Sequence, residues 1–277
     1  MLGPGLIGGS VLKAVRARFP ETELHAWARR PEAVEQLQGY LGLVDCATDD
    51  LEKAIEGVDL VILAMPTGAM ASVVGRVRSF SRAGEKVIVT DVGSVKQPVV
   101  EEIGPLVTER EGIFLGSHPM AGSEKAGLEF ADEDLLEEAA VILTPEACSD
   151  RAVEEKLKQF WELLGAKVSS MDAGEHDRMV ASISHLPHLV AASLVRVVMG
   201  EGDYVRYSGG GFRDTTRVSA GPEDMWAGIL TDNHEAVSKK LGDLIEELQT
   251  WKGALDSLDR ESLLRFLSEA RKLREAL

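Results

Sequence analysis

The chain has 277 residues, enough for one large or two ordinary domains, and 44% of them are hydrophobic, so a packed core is within reach. Thirty Lys and Arg stand against 46 Asp and Glu, a net charge of −16 that argues against nucleic acid or an anionic membrane as partner. Only Cys46 and Cys148 are present, so a disulfide framework is not expected and a reduced, cytoplasmic setting is. No run of the roughly 18 apolar residues of a membrane helix is read, and no signal peptide opens the chain.

In chain order, residues 1–10 read M-L-G-P-G-L-I-G-G-S. Gly3, Gly5 and Gly8 form a G-x-G-x-x-G loop that opens into an amphipathic helix starting at Leu6 and Ile7. Glycines let the backbone approach a pyrophosphate, and a helix N-terminus offers it free N–H groups. A strand over residues 23–28 completes the start of a βαβ unit. A first strand should precede Gly3, yet only Met1 and Leu2 do, so the numbered chain is expected to lack several natural N-terminal residues. Where an NAD enzyme usually carries an acid for the ribose hydroxyls, this chain has Ala28 followed by Arg29 and Arg30. Two guanidiniums can grip a phosphate bidentately, so NADP is the expected cofactor, with NAD as the alternative.

Residues 58–65 (V-D-L-V-I-L-A-M) read as a buried parallel strand ending beside the cofactor at Met65, Pro66 and Thr67. Residues 86–91 read as another, ending D-V-G-S-V-K, in which Asp91 is expected near the cofactor. Ser94 reads either as an N-cap of the following helix or as a polar group at the sheet edge. The stretch G-S-H-P-M-A-G-S-E-K, residues 116–125, is expected just past the C-terminal end of a short strand, where open α/β sheets bind ligands. It holds His118, a group that can accept or give a proton near neutral pH. Strands are expected over residues 139–144 and 167–171, with an amphipathic helix near 150–164 between them.

After Met171 the pattern turns helical. Residues 175–195 read as one long apolar helix in which Pro187 should free the carbonyl of Ile183. Its His185 and His188 are three apart and lack the further ligands a metal would want, so they are read as satisfied core groups or as facing a polar cleft. S-G-G-G-F-R-D-T-T-R, residues 208–217, suits an anion-binding loop with Arg213 and Arg217 on one helix face. Two more helices, about 233–255 and 260–277, look like packing or dimer helices.

Five segments, G-P-G-L-I-G-G-S, D-V-G-S-V-K, G-S-H-P-M-A-G-S-E-K, H-D-x-x-x-A-x-I-S-H-L-P-H and G-G-G-F-R-D-T-T-R, resemble in order and separation the prephenate/arogenate dehydrogenase family of tyrosine biosynthesis. The resemblance runs from Gly3 to about Trp226. It implies an α/β Rossmann-like dinucleotide-binding domain over 1–172 and an all-α substrate and dimerisation domain over 173–277. It also implies oxidative decarboxylation of prephenate or arogenate with hydride transfer to NAD(P). By the same resemblance His118 is the base that deprotonates the ring hydroxyl, and Ser94 holds that hydroxyl and the nicotinamide. Arg217 grips a substrate carboxylate, while Ser184, His188, Glu124 and Trp226 line the wall, His188 more directly than His185. A homodimer through the helical domain is expected. No chorismate mutase segment and no regulatory domain is read, so any inhibition by tyrosine is expected to act at the active site. The rival readings are a 3-hydroxyacid dehydrogenase or imine reductase, which would use a lysine or aspartate on the long helix, and a nucleotide-sensing protein without chemistry.

Overall fold

In the computed structural model, residues 1–122, 125–145, 150–200, 202 and 204–276 are described. The first half alternates strand and helix: α1 (Leu6–Arg18), β1 (His25–Trp27), α2 (Pro31–Gly39), β2 (Cys46–Thr48), α3 (Leu51–Ile55), β3 (Leu60–Leu63), α4 (Thr67–Val74), a small hairpin β4 (Ser81–Arg82) and β5 (Glu85–Lys86), β6 (Ile88–Asp91), α5 (Gln97–Thr108) and β7 (Ile113–Phe114). β1 pairs with β2, and β3 with β6 and then β7, all in parallel. Leu2 bridges Trp27 on one side and Leu63 on the other, joining the two groups of strands. The order across the sheet is therefore β2-β1-Leu2-β3-β6-β7.

The expected first strand is thus two residues long, at the sheet centre. Met1 accepts from the Trp27 N–H, and Leu2 accepts from the Ala64 N–H while donating to Ile62. The Met1 ammonium donates to the His25 carbonyl at 2.7 Å, and burial lowers its pKa to about 5. A cavity of about 410 Å³ lies beside it, lined by Met1, Val11, Val15, His25, Leu60 and Phe160 among others.

β3 is apolar throughout because both faces are covered. Val61 and Leu63 pack with Met70, Val74, Ile103 and Phe114, whereas Ile62 packs with Val11, Leu115, Leu143 and Trp161 on the other face. Each such buried aliphatic side chain contributes about 1.5–3 kcal/mol.

A second sheet follows: β8 (Gly116–Pro119), β9 (Ala140–Thr144), helix α6 (Arg151–Leu163) and β10 (Lys167–Ser170). Its order is β10-β9-β8, with β10 parallel and β8 antiparallel to β9. The 116–119 segment is therefore itself a strand and not the loop beyond one. The chain leaves the parallel sheet at Leu115 and re-pairs, setting His118 opposite Ile142. Pro119, which has no N–H to give, is tolerated because β8 is an edge strand.

Next come α7 (Ala173–Val180), a π-helical turn over Ala181–His185, α8 (Leu186–Gly200), α9 (Gly210–Thr216) and α10 (Glu223–Asp232). The long helix expected from the sequence is present, but it is widened where Pro187 cannot donate to Ile183, a defect frequent at functional sites. The 28-residue run Ala173–Gly200 holds an 18-residue stretch of mean hydropathy 1.3, long and apolar enough by length and composition alone to cross a bilayer. It also carries buried His176, Asp177 and His185, whose bonds tie it to the residues described below.

Residues 1–233 form one compact unit and 234–277 a second. The first unit takes in α7–α10, so the spatial division falls later than residue 172. The second is the pair α11 (His234–Asp256) and α12 (Arg260–Glu275), with Trp251 against Phe266 at 5.3 Å between ring centres.

Candidate active site

The glycine loop has the geometry a dinucleotide requires. Gly3 has φ +77°, and a Cβ there would lie 3.0 Å from that of Met65. At Gly8 a Cβ would come 2.7 Å from that of Ala64, so only glycine lets α1 lie this close to the strand. A Cβ on Gly5 would meet nothing within 4 Å, and Gly5 caps α1 with no side chain in the way. The first-turn N–H groups, next to Leu6 and Ile7, are open to an anion. Arg29 and Arg30 are exposed just past β1. Met65, Pro66 and Thr67 follow β3 at the same rim, where Thr67 donates to Asp232.

Asp91 departs from expectation. It is fully buried and bonded to the Lys96 ammonium, while accepting from the Gly93 N–H at 2.8 Å and the Ser117 N–H at 3.3 Å. Lys96, also fully buried, donates to the Ser117 carbonyl at 3.0 Å as well. Burial lowers the Lys96 pKa and Asp91 opposes that shift. The pair anchors β8 to β6, so Asp91 is not available to a nucleotide; a carboxylate sealed in the sheet needs a cation beside it.

A cavity of about 360 Å³ opens between the β8 end and the helices, within the size range of small-ligand sites. Ser94, His118, Ser184, His185, Arg217 and Trp226 line it. Gly122 lines it too and lies against Ile7, which brings the cavity next to the glycine loop. Ser94 does not cap α5. The first N–H groups there, on Lys96 and Gln97, go instead to the Asp177 carboxylate at 2.8 and 2.9 Å, which leaves Ser94 on the cavity wall. Arg217 is exposed on the opposite wall.

His118 is 8% exposed. Its Nδ1 lies 2.8 Å from Nε2 of His176, whose Nδ1 lies 2.7 Å from Asp177 Oδ1. Burial, followed by the neighbouring His176, Lys96 and His185, pushes the His118 pKa well below its usual value. The imidazole is therefore neutral at physiological pH and can take a proton. His185 is likewise held neutral, its pKa lowered by burial to about 4. Asn233 Nδ2 contacts its Nδ1 at 3.1 Å.

Two other expectations shift, and a third is not reached. His188 is not on the cavity wall; it stacks behind Trp226 at 3.5 Å and 13°, and His185 takes the place expected for it. Arg213 is exposed on α9, with Nε 3.4 Å from Ser208 Oγ, and does not line the cavity. Glu124 lies outside the described residues. His176, Asp177, Lys96 and Asn233 carry no role in the sequence reading; the H-D pair that opens the long-helix motif is the signal for the first two. Among the described residues no cluster of three or more His, Cys, Asp or Glu could hold a metal ion.

A dinucleotide loop beside a cavity that presents a neutral histidine and an arginine defines a nicotinamide-dependent dehydrogenase. Residues 13–170 match the family profile described as prephenate dehydrogenase, nucleotide-binding domain, and residues 172–269 the one described as prephenate dehydrogenase, dimerization domain. The chain belongs to the prephenate dehydrogenase family. It is 33% identical over 282 residues to a cyclohexadienyl dehydrogenase of Zymomonas mobilis, covering all of this chain and 94% of that protein. It is 34% identical to a prephenate dehydrogenase of Bacillus subtilis, covering all of this chain and 75% of that one. Among solved structures, the Aquifex aeolicus prephenate dehydrogenase in complex with hydroxyphenyl propionate and NAD+ superposes with TM-score 0.89 at 31% identity, covering 99% and 95% of the two chains. The Synechocystis arogenate dehydrogenase gives 0.82 at 30%, covering 99% and 97%. A Mycobacterium tuberculosis 3-hydroxyisobutyrate dehydrogenase shares the fold alone, with TM-score 0.60 at 12% identity and 86% and 85% covered. The long helix has no lysine, and its Asp177 is engaged by backbone, so the rival hydroxyacid chemistry lacks its residues.

Proposed function

We propose that this chain oxidatively decarboxylates prephenate or arogenate, with NADP preferred over NAD, as a cytoplasmic homodimer. The observation that carries the reading is His118: neutral, on the cavity wall, and facing a space that also holds Ser94, Ser184 and Arg217.

The substrate is a cyclohexadienol with a ring carboxylate. Nicotinamide, when bound, accepts the hydride that leaves the carbinol carbon. His118 takes the hydroxyl proton as that C–H bond breaks, and Ser94 orients the hydroxyl. The carboxylate then leaves as CO2, its bonding pair enters the ring, and His118 returns the proton to the phenolic oxygen. No proton is gained or lost overall. Aromatisation drives the reaction, so the protein mainly orients the reactants and handles one proton. Arg217 pairs with a substrate carboxylate, Ser184 and His185 add polar contacts, and Trp226, backed by His188, is the flat apolar wall.

NADP preference is supported by exposed Arg29 and Arg30 after β1, with no acid at Ala28 to repel a 2′-phosphate. A boundary near residue 172 and dimerisation through the helices beyond it are supported by the two matched profiles and by exposed Ile183, Val197, Leu248 and Leu267. The test is absorbance of reduced nicotinamide on adding prephenate or arogenate with each nicotinamide. Turnover with a lower KM for NADP is expected; no turnover of either substrate would overturn the activity, and a lower KM for NAD would overturn the preference.

A further inference from the structure

Asp177 occupies an unusual position for a residue that does not reach the cavity. Its carboxylate accepts from the backbone N–H groups of Lys96 and Gln97 and from Nδ1 of His176. Its backbone carbonyl accepts from Asn233 Nδ2 at 2.8 Å. Those two sets of bonds lead to the two histidines on the cavity wall by separate routes, His176 to His118 and Asn233 to His185.

We propose that Asp177, through His176 on one side and Asn233 on the other, fixes the ring protons of both cavity histidines, making His118 an acceptor and His185 a donor. A carboxylate only accepts, so His176 carries its proton on Nδ1. The proposal gives His176 that one proton alone, so its Nε2 is bare and His118 donates to it from Nδ1. That leaves Nε2 of His118 bare, the nitrogen that can take the substrate proton. On the other route the Asn233 amide is oriented by its bond to the Asp177 carbonyl, so its NH2 group donates to His185 Nδ1. Neutral His185 therefore carries its proton on Nε2, a donor suited to a substrate oxygen.

His176, Asp177 and Asn233 are positioning residues and touch no reacting atom. When His118 takes the hydroxyl proton, its positive charge lies one imidazole away from the Asp177 carboxylate, which stabilises it as the buried acid of a catalytic triad does. The base is set before substrate arrives, because every bond in the two routes lies within the resting protein.

The inference rests on His118 as base, so its test has an arm that needs no turnover. Histidine-selective 15N spectra of the full chain, which has six histidines, read the tautomers directly. Expected are Nδ1-protonated His118 and Nε2-protonated His185, assigned by loss of each signal in His118→Gln and His185→Gln. A resting His118 protonated on Nε2 overturns the proposal whatever the enzyme turns over. In the second arm, His176→Phe removes the acceptor, and His176→Gln restores a side-chain oxygen for the His118 Nδ1–H. His176→Phe should lower kcat roughly 10- to 10³-fold with KM within about threefold, and His176→Gln should recover part of the loss. Asn233→Leu should randomise the His185 tautomer and raise KM while leaving His118 unchanged. Equal kcat in wild type and His176→Phe, or a loss confined to KM, overturns the kinetic role. Unchanged turnover in His118→Gln with the expected tautomers would instead sink the assignment of the base.

Discussion

The two sides of the cavity are built on opposite plans. On the strand side, Asp91, Lys96, Ser117 and His118 are buried, and Asp91, Lys96 and Ser117 are bonded to one another. On the helix side, Arg217 and Met225 are exposed and sit on short helical pieces. Proton transfer needs a nitrogen held to a fraction of an ångström, and burial with full bonding supplies that. Recognition of a charged substrate needs a cation that meets it from water, since a buried cation without its partner would be costly. The difference teaches that the chemistry is fixed by the sheet and the grip is supplied by the helices.

Changes on the strand side should therefore act on the whole protein. Lys96→Met leaves Asp91 buried without its cation, a loss of about 3–5 kcal/mol, and should lower the thermal midpoint by roughly 10 °C in calorimetry. A midpoint shift of a degree or two would mean that the pair is dispensable and the strand side less rigid than described.

Changes on the helix side should act on binding alone. Arg217→Ala removes a charge-assisted bond of about 1.5–3 kcal/mol to a carboxylate, and should raise KM roughly 10- to 100-fold with kcat within a few-fold. Loss of kcat at constant KM would place Arg217 with the chemistry instead.

The smallest effect tests the sheet centre. The Met1 ammonium is pushed down to about 5 from 8.0, so between those values the unfolded chain binds more protons than the folded one. Stability of a chain that starts at Met1 should therefore rise with pH from 5 to 8 by this group's share and level off above. The neighbouring cavity can admit water to the amine, which keeps the share small. Acetylating the terminus should remove that part of the slope; an unchanged slope would show that the amine is hydrated.

Much of this was legible in the sequence, for identifiable reasons. G-x-G-x-x-G and the apolar run at residues 58–65 announce a parallel sheet because both features depend on local spacing. His118, Ser94, Ser184, Arg217 and Trp226 come from segments far apart in the chain, yet all line one cavity. What the sequence concealed was pairing between distant groups. Nothing local shows that 116–119 re-pairs as an antiparallel edge strand, or that Asp91 turns inward to Lys96. Nor does the spacing of His185 and His188 reveal that a π turn brings the former to the cavity and leaves the latter behind Trp226. Asp177 illustrates the limit most clearly: it caps α5, whose N-cap residue Lys96 lies 81 residues earlier.

The central claim is that His118 takes the proton from its position on the strand side, independently of the helical grip. Steady-state kinetics of His118→Asn against wild type, with NADP and whichever of prephenate or arogenate wild type turns over, test it most directly. The account predicts that kcat falls about 10²- to 10⁴-fold while KM stays within a few-fold. It also predicts that wild-type kcat rises with pH through a value below 6.5 and is flat above it, because the neutral imidazole is the active form. A His118→Asn variant that keeps wild-type kcat, or one whose loss appears only in KM, would contradict it.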